Sequence, residues 1–390
     1  MLTKIKVKNF RSFKEETAFD FTTTKYAMLK EQNTYHGIVK GALFAGGNAT
    51  GKTNALYAIS ILLDLLFLNV NTDMRMHFCF FSKDPEMNLE YTFSFDADKV
   101  IYSLSFDRDG TITKEEVLLN GKTLLDRIGL NARTELTDKK NYDKADIDAT
   151  TPFIKSIYFN TKFTSCLPLK SWFEYLSNSV YFNAERQQML VGQALSYNVN
   201  NKVVLVDYLK EHGVDSINTF FDFFGFNQQI RYEREQKLSE YVSATVALGD
   251  KAVYLKRKDI DFWMPLDFES LGNKTLLNML PALLQVTKKG GMFLVDEFSS
   301  AFHNELEELI VRYFMCNSKR AQMFFVSHST NLMKTSLLRP DQIYAIDFTD
   351  DRGSRVKRFS DEQPRESQNM EKMYLSGVFG GLPEYKDDIE

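Results

Sequence analysis

Residues Ala42 to Ser60 read ALFAGGNATGKTNALYAIS. The run GALFAG is a short apolar strand that ends in glycines, and TNALYAISILLDLLFL carries apolar residues at helical spacing. Between them, Gly46-Gly47-Asn48-Ala49-Thr50-Gly51-Lys52-Thr53 fits the pattern G-x-x-x-x-G-K-[ST]. Strand, glycine loop and helix in that order are the context a phosphate-binding loop requires. Glycines let backbone N–H groups converge on phosphate oxygens, and the following helix adds its positive N-terminal end. Gly46 to Gly51 would form the cradle, with Asn54 at its exit into the helix. Lys52 would sit on the β- and γ-phosphates of ATP or GTP, and Thr53 on Mg²⁺.

A second stretch completes the chemistry. GMFLVDEFSS, Gly291 to Ser300, is an apolar strand ending in Asp296-Glu297. It places two carboxylates at the carboxyl edge of a sheet, where open α/β sheets bind ligands. Asp296 would hold Mg²⁺, and Glu297 would polarise the attacking water as general base. Beyond them, FFVSHST puts His328 at the end of another apolar strand. Lys52 and Asp296 lie 244 residues apart, so a large segment is inserted between the first α/β unit and the rest.

The remainder predicts the frame. KIKVKNF alternates as a strand, and residues 88–127 read as an antiparallel meander with turn signals at DADK, RDG and NGK. Residues 128–240 are more polar and helix-leaning, with FFDFFGF an aromatic island. YFNAERQQ (181–188) reads there as a solvated helix start and VYLKRKD as a charged strand edge. After Ser270 the α/β rhythm returns: GNKTLLNMLPALLQVTK is a helix, with Pro281 marking a kink or its first turn. TDDRGSRVKRFSDEQPRESQ reads as a surface hairpin or tail. The expected organisation is an N-terminal lobe (1–127), a helical or mixed insertion (128–260) and a C-terminal lobe (261–390).

Composition narrows the class. A net charge of −4 gives no global attraction to nucleic acid or anionic membrane. Three separated cysteines without a C-x-x-C predict buried reduced thiols rather than a zinc site or disulfide framework. The most apolar run, YAISILLDLLFLNV, is broken by Asp64 and falls short of the ~18 residues of a membrane span. MLTKIKVKNF lacks a signal peptide's apolar core, so the expectation is a cytoplasmic protein with no membrane partner.

Taken together these motifs resemble the ABC-type P-loop ATPases of the RecF/SMC-like branch, specifically the stand-alone bacterial AAA-type, OLD-like ATPases of abortive-infection modules. The resemblance rests on Val7-Lys8-Asn9-Phe10-Arg11-Ser12-Phe13, on GGNATGKTN, on Glu269-Ser270-Leu271-Gly272 and on the terminal EKMYLSGVFGGLP. It covers about residues 1–127 and 262–383. It implies an α/β P-loop NTPase head with the antiparallel meander and helical insertion already described. It further implies that Arg11 contacts nucleotide and that Ser270 and Gly272 form a signature meeting the γ-phosphate bound to a partner subunit. Ser299 and Ser300 fall in the loop after the general base, and His328 matches the switch histidine. The sequence differs from the family pattern at Asn273-Lys274, where threonine is frequent, and in SSAFHN; the usual glutamine loop is sought in MRMHFCFF.

The expected function is an Mg²⁺-dependent ATPase switch that pairs head to head as a homodimer or higher homo-oligomer. It would regulate a separately encoded effector, a toxin or nuclease, in anti-phage defence. The alternatives are a DNA-repair or recombination ATPase gripping DNA through residues 128–260, and a nucleotide-dependent scaffold. Composition does not signal nucleic acid.

Overall fold

Alternation within the central strands decides the architecture. In Gly41–Ala45, Ala42 and Phe44 pack into one apolar core while Leu43 and Ala45 pack into another. Gly291–Asp296 divides likewise, Met292 and Leu294 against Phe293 and Val295. Strands apolar on both faces belong in the middle of a covered parallel sheet. The computed structural model describes residues 1–67, 72–136, 147–186, 188–191, 201–234 and 251–382.

The central sheet has seven strands in the order Gln188–Val191, Val180–Asn183, Gly291–Asp296, Ala321–Val326, Gly41–Ala45, Ile343–Thr349, Gly353–Arg358. Its inner five are parallel, and each edge is closed by an antiparallel partner. A second seven-stranded sheet is antiparallel throughout. It runs from Asn131–Thr134 through the meander Lys122–Ile128, Ile112–Leu119, Asp98–Asp107 and Glu86–Phe95 to Leu2–Lys8 and Thr17–Asp20. The helix Lys52–Phe67 lies between the two sheets, which is why twelve of its side chains are buried. The helices Leu271–Lys289 and Asn304–Asn317 cover the opposite face of the central sheet.

Several expectations are corrected. YFNAER does not start a helix: Val180–Asn183 is a fully buried strand that turns back into Gln188–Val191. Its parallel pairing with Gly291–Asp296 brings part of the 128–260 segment into the central sheet. That segment also supplies Gln228–Arg234 and Lys251–Arg257, which pair with Met264–Pro265 in a small sheet. Pro281 is interior to Leu271–Lys289 and removes one helical hydrogen bond there. The three thiols are free, but only Cys79 is buried; Cys166 is half-buried and Cys316 exposed. By contrast, the stretch expected as a surface hairpin or tail does turn at Asp351-Arg352-Gly353, into a hairpin at the central sheet's edge. Gln187 and Pro383 lie outside the described residues. Among the described residues no helix is long and apolar enough to cross a membrane.

Candidate nucleotide site

The loop Gly46–Gly51 leaves the strand Gly41–Ala45 at its carboxyl end and is braced from three directions. Gly47 N–H donates to the Gly381 carbonyl at 2.7 Å, so the C-terminal GVFGGLP stretch supports the loop. Phe379 is stacked on Phe359 at 3.7 Å and anchors that stretch. The Ser354 hydroxyl donates to the Thr50 carbonyl at 2.6 Å, and Ser354 N–H donates to the Ser12 carbonyl at 2.7 Å. Gly51, at φ +107°, lies so close to both serines that a Cβ would stand 2.3 Å from Ser354 Oγ and 2.6 Å from Ser12 Oγ. A Cβ on Gly46 would be 2.4 Å from the Ile346 carbonyl. No side chain fits at either position, so the backbone alone lines this part of the loop.

Lys52 is buried within the loop and donates to the Gly47 carbonyl at 2.6 Å. Burial lowers its pKa, and the carboxylates of Glu297 and then Asp296 act against that. Thr53 donates to Asp296 Oδ1 at 3.2 Å. Burial, and then the neighbouring Glu297, raise the Asp296 pKa. Three further hydrogen bonds hold the Asp296 side chain in place. Tyr181 donates to Oδ2 at 3.2 Å, Asn183 donates to Oδ2 at 3.3 Å, and Glu297 N–H donates to Oδ1 at 3.1 Å. Glu297 itself has φ +53° and ψ +42°, a left-handed conformation that non-glycine residues adopt at a cost of about 1 kcal/mol or more. That kink turns the chain out of the strand and into the short helix Phe298–Ala301. His328 is exposed, with its N–H donating to Ser299 Oγ at 3.1 Å. Partial desolvation against the site and then the Lys52 ammonium lower its pKa, which favours the neutral imidazole.

The structure therefore brings Lys52, Thr53, Asp296, Glu297 and His328 into one site, with Gly46 to Gly51 around it. Arg11 borders this set: it directly adjoins Ser12, which meets the loop, and Tyr57 beneath it stacks on Tyr181 at 5.9 Å. The guanidinium lies 4.1 Å over the Tyr57 ring, and Arg11 Nε–H donates to His77 Nδ1 at 3.2 Å. Asn54 donates to Ser12 Oγ at 2.7 Å, which makes it a brace. Among the described residues neither Ser270 nor Gly272 bonds to this set. Ser270 caps the helix Leu271–Lys289 by accepting from Asn273 N–H. Around it, Arg257 donates to both carboxylate oxygens of Glu269, at 2.9 and 3.1 Å, and Asn273 bonds to Glu269 and Gln228. Lys256 and Lys258 are also paired, with Asp261 and Asp222.

Sequence reasoning missed Tyr181 and Asn183. The available signal was the apolar run Val180-Tyr181-Phe182 ending at Asn183, a buried-strand pattern whose period of two puts residues 181 and 183 on one face.

The residues fit a nucleoside triphosphate with Mg²⁺. Two oxygens 3.2 Å apart, as in Thr53 and Asp296, match adjacent corners of an octahedron with bonds of about 2.1 Å. The narrow glycine loop and buried lysine suit phosphate oxygens.

The fold is that of a P-loop NTPase head of the kind seen in SMC proteins. A solved SMC head bound to the C-terminal winged-helix domain of ScpA is 14% identical, with a TM-score of 0.51, covering 91% of this chain and 97% of that one. The SMC head domain from Thermotoga maritima is also 14% identical at the same coverage, with a TM-score of 0.49. No curated protein matches the sequence. The model of the family described as "AAA domain, putative AbiEii toxin, Type IV TA system" matches residues 42–334, and the chain belongs to that family.

Proposed function

We propose that the chain hydrolyses ATP with Mg²⁺ and uses the cycle to switch between separate and paired heads, thereby controlling a separate effector. The observation that carries this is the convergence of Lys52, Thr53, Asp296, Glu297 and His328 at one sheet edge. Lys52 would hold the β- and γ-phosphates, and Thr53 and Asp296 would hold Mg²⁺, which neutralises phosphate charge. Glu297 would take the proton of the attacking water, and neutral His328 would bond to the γ-phosphate.

Pairing is supported by the placement of Ser270. The helix Leu271–Lys289 enters the strand Gly291–Asp296 through Gly290 and runs back along it. Nineteen helical residues span about 28 Å and six strand residues about 20 Å, so the signature end overshoots the edge that carries Asp296. Ser270 is thus available to a nucleotide held by another copy. The family description, with its toxin and type IV toxin–antitoxin system, supports a defence setting with a toxin or nuclease partner. The DNA-gripping reading gains nothing from Lys256, Arg257 and Lys258, each paired with an acid.

The test is ATP turnover and solution mass for the wild type and Glu297→Gln. The wild type should hydrolyse ATP. The variant should lose about 10²- to 10⁴-fold in kcat, the usual worth of a general base, and accumulate as an ATP-bound larger species. Absence of both turnover and any mass change in the wild type would reject the switch.

A further inference from the structure

Glu307 has no part in the chemistry above, yet it is a fully buried carboxylate close to the site. It lies in the first turns of the helix Asn304–Asn317, whose start is fixed by Leu306 and Glu307 N–H groups donating to the His303 carbonyl. Among the described residues no cation pairs with it. Its two oxygens instead accept from two hydroxyls: Ser327 Oγ donates to Oε2 and Ser329 Oγ donates to Oε1, each at 2.9 Å. The residue between those serines is His328. Ser329 N–H donates to Ser327 Oγ at 3.0 Å and closes the bracket, while Ser299 Oγ holds His328 N–H from the other side.

Burial raises the Glu307 pKa, and the two serine hydroxyls, then the nearby His303, oppose that shift. A buried carboxylate without a cation is costly, and leucine would fill the space without that cost. What leucine could not do is hold two hydroxyls on opposite sides of one residue. The bracket also joins two loops. Ser299 and His303 bound the segment after Glu297, so the histidine loop is tied to that segment at both ends.

We infer that Glu307 is a positioning residue for ATP hydrolysis: it fixes Ser327–Ser329 so that His328 faces the γ-phosphate, and it makes His328 follow any displacement of residues 299–304. The inference rests on the reading of His328 given above. Removing the bracket should impair the chemical step and spare nucleotide binding, because neither serine nor Glu307 belongs to the phosphate loop.

The variants are Glu307→Ala, Glu307→Gln and the double variant Ser327→Ala/Ser329→Ala, each in the full chain. Glu307→Ala and the double variant should lose about ten- to hundredfold in kcat, the usual range for residues that orient a reacting group. Affinity for a non-hydrolysable ATP analogue should stay within about twofold of wild type. Glu307→Gln still accepts from one serine and donates to the other, so it should recover most of the loss. The independent readout is the His328 imidazole resonance, assigned by His328→Ala among the five histidines. It should shift or broaden in the double variant while His36, His77 and His212 stay fixed. Unchanged kcat in a folded variant, parallel loss of kcat and analogue affinity, or an unmoved His328 resonance would each overturn the inference. If Glu307→Ala fails to fold, the double variant decides. If the wild type has no ATPase activity, the functional reading fails, while the resonance still tests the bracket.

Discussion

Lys52 and Ser270 each stand at the start of a helix, and the two starts are supported in opposite ways. The loop before Lys52 is held by Ser12, Ser354 and Gly381, residues from both termini of the chain. Ser270 sits in a network of Glu269, Asn273, Arg257 and the more distant Gln228, all from the second half of the chain. The phosphate loop is covered by the chain's own segments, whereas Phe268 and Leu271 beside Ser270 are 55% and 68% exposed. Buried acids differ too. Glu269 is bonded twice by Arg257, while Asp64 on the helix of Lys52 has no hydrogen-bond partner for Oδ1 among the described residues. The phosphate loop is finished within the chain, whereas the Ser270 helix start keeps an uncovered rim.

The largest expected effect lies on the finished side. Lys52→Ala should weaken binding of a fluorescent ATP analogue by about 10²- to 10³-fold, the usual worth of one preorganised charge on a phosphate. Retention of wild-type affinity would remove Lys52 from the site. On the other side, Ser270→Asp should leave single-chain nucleotide affinity and melting temperature unchanged, because aspartate caps a helix as well as serine does. It should nonetheless suppress turnover by about 10²-fold, since a carboxylate facing a partner's phosphates costs several kcal/mol. Full activity in that variant would show that the signature meets no phosphate.

The buried acids give a smaller test. Burial raises the Asp64 pKa from 3.8 to about 6, with Arg11 acting against the shift. The folded chain then keeps this proton to about pH 6, and the unfolded chain loses it near pH 4. Between those values the folded state binds more protons, so this residue's contribution to stability falls as pH rises and stays low above pH 6. Asp64→Asn should be more stable than wild type by about 2–3 kcal/mol in urea at pH 7.5, with the difference vanishing near pH 4. An equal gain at both pH values would break the assignment. Smallest is Tyr181→Phe, which removes one of two donors to Asp296 Oδ2. The Mg²⁺ concentration for half-maximal turnover should rise about two- to tenfold, and Mg²⁺-dependent protection against heat should weaken in step.

The sequence determined the elements whose rules are local. The strand–loop–helix around Lys52 was legible because glycines, apolar spacing and the lysine all fall within a few residues of one another. The meander was legible from period-two alternation and its turn residues. Asp296 and Glu297 were readable as the end of an apolar run. Tertiary structure alone decided which distant groups meet them. Val180–Asn183 became a central strand because it pairs with Gly291–Asp296, and only that pairing sets Tyr181 and Asn183 against Asp296. The same holds for Gly381 beneath Gly47, Ser354 beneath Thr50, and the Glu307 bracket around His328. Propensity and periodicity act over a helical turn or a strand, whereas these hydrogen bonds exist only once the strand order and the helices on each face have been fixed by burial.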